Sequence, residues 1–290
     1  MYKLICYPLI LLGIYNTKRY YKLYRHSKPI TIVEPSIINK KIINKDNNKF
    51  KKLELEDKII FFRNTLEKNF NKDSLAYFYN NINTIKISKS NFLFNSTSGE
   101  YYPKKNKITV SKKDSTYSID HELLHMSSSY YDKNRKVLFS GFEQITKNGK
   151  KEIGRGLTEG YTTLLDGRYF NPNKQPCYTY SRCEYLAMLI ERLVGKDIME
   201  KAYFTANLSL IISELEKFDT KENIIKVIRA IDIYFDSRDL YQDDFIIPII
   251  KRNAKIKACE NEDYASKTIH KWFDVRKELE ANIEYQKRIQ

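Results

Sequence analysis

The stretch Asp120-His121-Glu122-Leu123-Leu124-His125-Met126 decides the reading of this chain, because it sets an HExxH pattern in 290 residues that hold only four histidines. With so few histidines, a chance HExxH has a probability on the order of 0.4%, so the pattern is a signal. Residues four apart on a helix share one face at about 6 Å, which lets two imidazoles reach one ion at about 2.0 to 2.1 Å each. At about 100° per residue, Ile119, Leu123, Met126 and Tyr130 gather opposite His121 and His125. A helix is therefore predicted from Asp114 to about Tyr131, capped by Asp114 or Ser115, with one face packed and the other turned to a metal. The competing account is a surface helix with two unconnected histidines. Glu122 sits one position off the ligand face, placed to act on a water at the metal without ligating it, as a general base.

A catalytic zinc site takes three protein ligands and keeps one position open. His26 lies in a basic leader, and His270 edges a stripe of Ile269, Trp272, Phe273, Leu279 and Ile283, where a flanking, hydrogen-bonded histidine is expected. A carboxylate is the better third ligand. Glu159, 34 residues after His125, lies in Gly156-Leu157-Thr158-Glu159-Gly160-Tyr161, at the start of a predicted helix. The alternative for it is a surface glutamate favoured in a first turn by the helix dipole.

These residues resemble the gluzincin metallopeptidases, in which HExxH on one helix is joined by a glutamate from a later helix. Leu157-Thr158-Glu159-Gly160-Tyr161 is similar to the (N/T)-E-G-(F/Y) stretch of aminopeptidase-N-like and thermolysin-like enzymes, and the likeness covers about residues 101 to 205. It implies a zincin-like fold, one Zn2+ ion on His121, His125 and Glu159, Glu122 as base and proton shuttle, and a peptide or protein substrate. Tyr180, ahead of Glu184, resembles the Y-x-x-x-E found after the metal glutamate in related bacterial proteins, which implies a catalytic role as oxyanion stabiliser. Against that stands the ordinary use of tyrosine as an amphipathic packing residue. Two positions depart from the pattern: Thr158 stands where thermolysin-like sequences have Asn, and Thr163 where they have Asp. Asp166, two turns beyond Glu159, is a candidate for contact with a ligating imidazole, or else a solvated helix residue. Arg155 is a candidate guide for a substrate backbone. Toxin-type endopeptidases share HELxH and a glutamate at similar distance, but their other signature residues are absent.

Working outward, Leu53 to Phe70 and Asp73 to Asn80 read as helices. Thr84 to Ser88, Asn91 to Asn95 and Lys107 to Ser111 read as strands, the last of them an exposed sheet edge for an extended peptide. Phe142 to Lys147 and Lys150 to Ile153 flank Asn148-Gly149 as a hairpin. Helices follow over Leu157 to Phe170, Tyr180 to Val194 with Gly195 as its stop, Ile198 to Leu215, Thr220 to Tyr234, and from about Ser266 to the end. The layout is α+β: a small mixed sheet, then the active-site helix and a mostly helical C-terminal half. The domain spans 53–290, with its sheet part at about 53–113 and its helical part at about 114–290, behind a leader of 52 residues.

Composition bounds the rest. A hydrophobic fraction of 42%, with 23 Tyr and 15 Phe, supports a packed core and excludes a disordered chain. Of the net charge of +15, residues 1–52 carry +10, from 12 Lys and Arg against Glu34 and Asp46, so the body is nearly neutral. Such a leader suits an anionic membrane surface, whereas nucleic acid is not an expected partner of the body. The abundance of Lys, Asn, Ile and Tyr along the whole chain, as from an AT-rich genome, explains the leader equally well. Leu4 to Tyr15 is apolar but short for a membrane span, and the charge behind it opposes export, so a cytoplasmic or peripheral membrane location is favoured over secretion. Cys6, Cys177, Cys183 and Cys259 lack paired CxxC spacing and read as free thiols. The leading expectation is a zinc metallopeptidase. Its rival is a non-catalytic metal-binding regulatory module that docks to membrane or nucleic acid through its N-terminus.

Overall fold

The computed structural model describes residues 31–35, 56–90, 99–111, 115–146, 152–172, 181–242 and 248–289. The leader other than 31–35, the strand expected at Asn91 to Asn95, the tip at Asn148-Gly149, and Tyr180 lie outside them. Helices α1 (Glu56–Asn69) and α2 (Ala76–Ile82) come first, followed by strands β1 (Lys86–Ser90), β2 (Gly99–Tyr102) and β3 (Lys107–Ser111). Helix α3 (Ser115–Ser127) carries HExxH and leads into β4 (Ser129–Asp132), β5 (Val137–Ser140), β6 (Glu143–Ile145) and β7 (Glu152–Ile153). Six helices complete the described chain: α4 (Arg155–Tyr169), α5 (Ser181–Val194), α6 (Lys196–Phe204), α7 (Leu208–Leu215), α8 (Lys221–Gln242) and α9 (Pro248–Ile289). The architecture is α+β with a mostly helical C-terminal half, as the pattern of periods implied.

The strands form two sheets instead of one. In the first, the order is β1-β3-β2, with β1 parallel and β2 antiparallel to β3. Ile108 and Val110 alternate into the core from β3, which is the central strand with both sides paired. This corrects the expectation that Lys107 to Ser111 offers a free edge. The second sheet is an antiparallel meander, β4-β5-β6-β7, and it follows the HExxH helix α3, so the chain is not strands first and helices after. The expected hairpin is present as the β6–β7 pair.

Helix α3 stops at Ser127, short of Tyr131, for a reason written in three serines. Ser127 Oγ donates to Leu123 O at 2.7 Å, Ser128 Oγ to Leu124 O at 3.2 Å and Ser129 Oγ to His125 O at 2.6 Å, so hydroxyls satisfy the last-turn carbonyls. Tyr130 consequently belongs to β4, and Ile119, Leu123, Leu124 and Met126 supply the buried apolar surface of α3. Asn81 Nδ2 then ties the turn down, donating to Met126 O and Ser129 O at 2.8 Å each.

Elsewhere the boundaries differ where side chains mislead. The helix expected over Ile198 to Leu215 breaks into α6 and α7 at Ala206, whose φ of 51° no glycine or proline announces. Helix α8 runs on to Gln242, and α9 begins at Pro248, well before Ser266. The seam of α9 against α8 is built on Ala254, Ala258 and Ala265 before Ile269 and Trp272, and alanines do not read as a hydrophobic stripe. Leu279 and Ile283, expected in that stripe, are exposed. Gly195 has φ 93° and ψ 144°, a positive-φ link between α5 and α6 outside the left-handed helical region. Cys183 is buried and Cys259 exposed, and neither forms a disulfide.

A described piece of the leader packs on this body. Val33 N donates to Gln144 Oε1 at 3.0 Å and Val33 O accepts from Gln144 Nε2 at 2.8 Å, so one side-chain amide holds the peptide as a neighbouring strand would. Among the described residues, no helix is long and apolar enough to cross a membrane. Because Asn81 bonds the carbonyls of both Met126 and Ser129 through one side-chain amide group, Asn81→Ala is expected to destabilise the fold by about 1 to 3 kcal/mol. Chemical denaturation checks this; an unchanged midpoint would show that water replaces the amide at no cost.

Candidate metal centre

The two histidines leave α3 on one face, their rings 4.8 Å apart and inclined at 72°. Their Nε2 atoms stand 3.1 Å apart, and Glu159 Oε2 from α4 lies 3.4 Å from His121 Nε2 and 3.5 Å from His125 Nε2. These three atoms are one face of a tetrahedron: ligands at about 2.0 to 2.1 Å from one zinc ion stand about 3.3 Å apart. The donor set of two imidazole nitrogens and a carboxylate oxygen therefore fits a divalent ion in both spacing and chemistry. Its side chains keep slight exposure, 12% for His121, 11% for His125 and 17% for Glu159, so the site is neither sealed nor spread on the surface.

The electrostatics match this geometry. Burial favours the neutral form of Glu159, but the adjoining imidazoles outweigh it and hold the carboxyl well below its usual range. Burial likewise works to lower His125, and the Glu159 carboxylate more than offsets it, leaving the imidazole raised. A divalent ion would replace this attraction between ligands with its own charge. Glu122 is 7% exposed and takes no part in the triangle. Burial pushes its carboxyl up against the pull of both imidazoles, and the backbone N–H of Tyr101 in β2 donates to it. A carboxylate with raised proton affinity, held by a sheet edge beside the donor set, suits proton transfer.

Helix α4 brings Glu159 in because its small residues let the backbone approach its neighbours. A Cβ on Gly160 would lie 2.3 Å from Cys183 O of α5, and one on Gly156 would lie 2.7 Å from Ile231 O of α8. Thr158, the first departure from the family pattern, is buried; its hydroxyl accepts from Phe142 N at 2.9 Å and lies 3.2 Å from Ser140 O and 2.8 Å from Gly154 O. It fastens α4 to the second sheet. Thr163 Oγ1 donates to Glu159 O at 2.9 Å, back along its own helix. Thr162 Oγ1 and Tyr203 Oη meet at 2.7 Å, and burial raises that phenol's pKa.

Asp166 is wholly buried and accepts from Asn171 Nδ2 at 2.6 Å, so it is not a solvated helix residue. Asn171 Nδ2 also lies 3.3 Å from Asp120 Oδ2, which pairs with Lys58 Nζ at 3.0 Å. This cluster joins α1, α3 and the end of α4 behind the histidines, and the sequence reading missed Asp120 and Lys58. Arg155 lies 3.7 Å from Glu152 and 3.6 Å from Asp236, with its guanidinium over the ring of Phe235. Burial pushes the neighbouring Glu143 well up, reinforced by Glu152, to which it is hydrogen-bonded. Arg155 thus compensates buried carboxylates, a role that its sequence position did not suggest. His270 is exposed, with Nδ1 2.7 Å from Ser266 O, in keeping with its reading as a flanking residue. Tyr180 and His26 lie outside the described residues.

On the far side of α4, Arg168 grips Glu191 of α5 through two bonds of 2.6 and 2.9 Å, and Tyr161 Oη donates to the same carboxylate at 2.7 Å. Burial opposes ionisation of Glu191, but these donors prevail and hold its carboxyl below its ordinary range. A carboxyl depressed in the fold stabilises it above the unfolded value and ceases to do so as pH falls through the folded one. Nearby Glu200 shifts the other way, raised by burial, so the Glu191 share is best isolated by substitution. Glu191→Gln is expected to lose about 1.5 to 3 kcal/mol at pH 7, with the gap from wild type closing in acid as pH falls through the depressed folded-state value. Urea denaturation across that range checks it, and a gap that stays constant with pH would refute it. Compared with family models, curated proteins and solved structures, the chain matches none.

Proposed function

We propose that this protein is a zinc-dependent peptidase with a zincin-like fold and a gluzincin-type site. The observation that carries the reading is the convergence of His121 Nε2, His125 Nε2 and Glu159 Oε2 at 3.1 to 3.5 Å, with Glu122 beside them and outside the donor set. A purely structural metal site has no use for such a carboxylate and is closed by four protein ligands. Here three converge among the described residues, and in this reading the fourth position is for water or substrate.

His121, His125 and Glu159 would hold the ion, and zinc, when bound, supplies Lewis acidity and lowers the pKa of water. Glu122 takes the proton of the attacking water on its carboxylate as the new C–O bond forms at the scissile carbonyl. It then delivers that proton to the amine nitrogen as the C–N bond breaks, so the glutamate returns to its starting state. The burial that raises Glu122 serves both halves, since a carboxylate of higher proton affinity accepts more readily and the acid so formed is still strong enough to protonate a leaving amine. His121 and His125, one and three residues from Glu122 on one helix, share its rigid frame, so the base cannot drift from the donor set.

Purified protein is expected to bind one zinc ion per chain and to cleave members of a peptide library. Glu122→Gln should keep the ion and lose about 10²- to 10⁴-fold in kcat, while Glu159→Ala should lose the ion itself. Metal analysis beside a mass-spectrometric cleavage assay makes the measurement. Absence of stoichiometric zinc in the wild type, or undiminished cleavage by Glu122→Gln, would end the peptidase reading.

A further inference from the structure

Helix α4 must present Glu159 in its second turn, yet its own N-terminus is poorly equipped to fix its direction. The cap residue Gly154 sits at φ 86° and offers no side chain, so the first-turn amides need another acceptor. That acceptor comes from α8. Asp232, wholly buried, takes the N–H of Gly154 on Oδ2 and the N–H of Gly156 on Oδ1, both at 2.8 Å.

We infer that Asp232 is the positioning residue for the metal ligand Glu159. It acts as an N-cap supplied from 76 residues downstream, and it sets the axis along which α4 aims its second turn at the histidines. A carboxylate bound to two first-turn amides also meets the positive end of the helix dipole, where negative charge is favoured. Both glycines are required for the contact: a Cβ at Gly154 would fall 2.2 Å from Phe142 O, and one at Gly156 2.7 Å from Ile231 O. One turn along α8, Asp236 pairs with the Arg155 side chain at 3.6 Å, so three consecutive residues at the start of α4 are held by one face of α8. His121 and His125 stand on a separate helix, α3. Removing Asp232 therefore loosens the acidic donor while the imidazole pair stays in place.

The inference rests on the metal-site reading, and the test separates the two. Cobalt(II), whose visible bands report tetrahedral coordination, is titrated into metal-free full-length wild type, Asp232→Asn and Asp219→Asn. Asp219 is a control of similar kind: it accepts from Trp272 Nε1 at 2.9 Å and from Thr220 N at 2.7 Å at the start of α8, away from α4. Asp232→Asn keeps the volume but sets an amide N–H2 against a backbone N–H. Cobalt affinity is expected to fall about 10- to 100-fold in Asp232→Asn and to stay within about twofold of wild type in Asp219→Asn. Wild-type affinity in a folded Asp232→Asn would overturn the positioning role and leave the metal reading intact, whereas wild type without tetrahedral bands would overturn the metal reading itself. Should Asp232→Asn not fold, hydrogen exchange on the wild type decides. Zinc should slow the Gly154 and Gly156 amides by a larger factor than the Thr220 amide, since coupling between site and clamp is reciprocal; equal slowing would overturn the inference.

Discussion

The structure depends on the meeting of α3 and α4 at a distance that only a few side chains permit. Three donor atoms 3.1 to 3.5 Å apart have to come from two helices that are separate in sequence, with a four-stranded sheet inserted between them. A helix carries a side chain about 5 Å from its axis, so a shift of one helix by the width of a methyl group would take Glu159 out of range. The fold meets this constraint by omitting side chains on the outer faces of α4. Gly156 and Gly160 let α8 and α5 close on its backbone, and these neighbours press the helix toward α3.

Around this contact the protein buries many charges, among them Asp120, Glu191 and Asp232. Isolated buried ions are costly, and a buried ion pair adds little net stability over an apolar one. What such pairs supply is direction. Glu191 with Arg168 and Tyr161, Asp120 with Lys58 and Asn171, and Asp232 with two amides each join elements that hold the donors, and each has a narrow geometry in which its hydrogen bonds are satisfied. Apolar packing of Tyr161, Tyr203 and Phe142, whose rings lie 5.5 to 5.6 Å apart, fills the space but tolerates sliding. The polar contacts remove that freedom. Glu122 is buried in the same region, and its burial is unfavourable to the ionised form.

Legibility from sequence followed the range of the interactions involved. The HExxH helix, the Glu159 helix and the β6–β7 hairpin depend on periodicity and on turn chemistry within a few residues, and the structure has all three. The end of α3 falls short of the expected Tyr131 although a local signal is present, since the hydroxyls of serines 127, 128 and 129 bond back to the last-turn carbonyls and close the helix. The break at Ala206 had no signal, since a left-handed alanine is imposed by packing of α6 and α7. The early start of α9 was hidden for a third reason: a seam of alanines buries little area per residue and leaves no contrast for a periodic pattern.

By itself the sequence determined that two imidazoles share one face of a helix and that a carboxylate lies beside that face, because those properties belong to residue types at fixed spacing on a helix. It also determined that the chain would be an α+β protein with its helices concentrated toward the C-terminus. Tertiary structure alone decided that Glu159 meets the two imidazoles, that Lys107 to Ser111 is a central strand, and that Arg155 is held among carboxylates. It alone decided that an aspartate of α8 caps α4. Those outcomes join residues tens of positions apart, and such encounters follow from how whole elements pack, which no local pattern encodes.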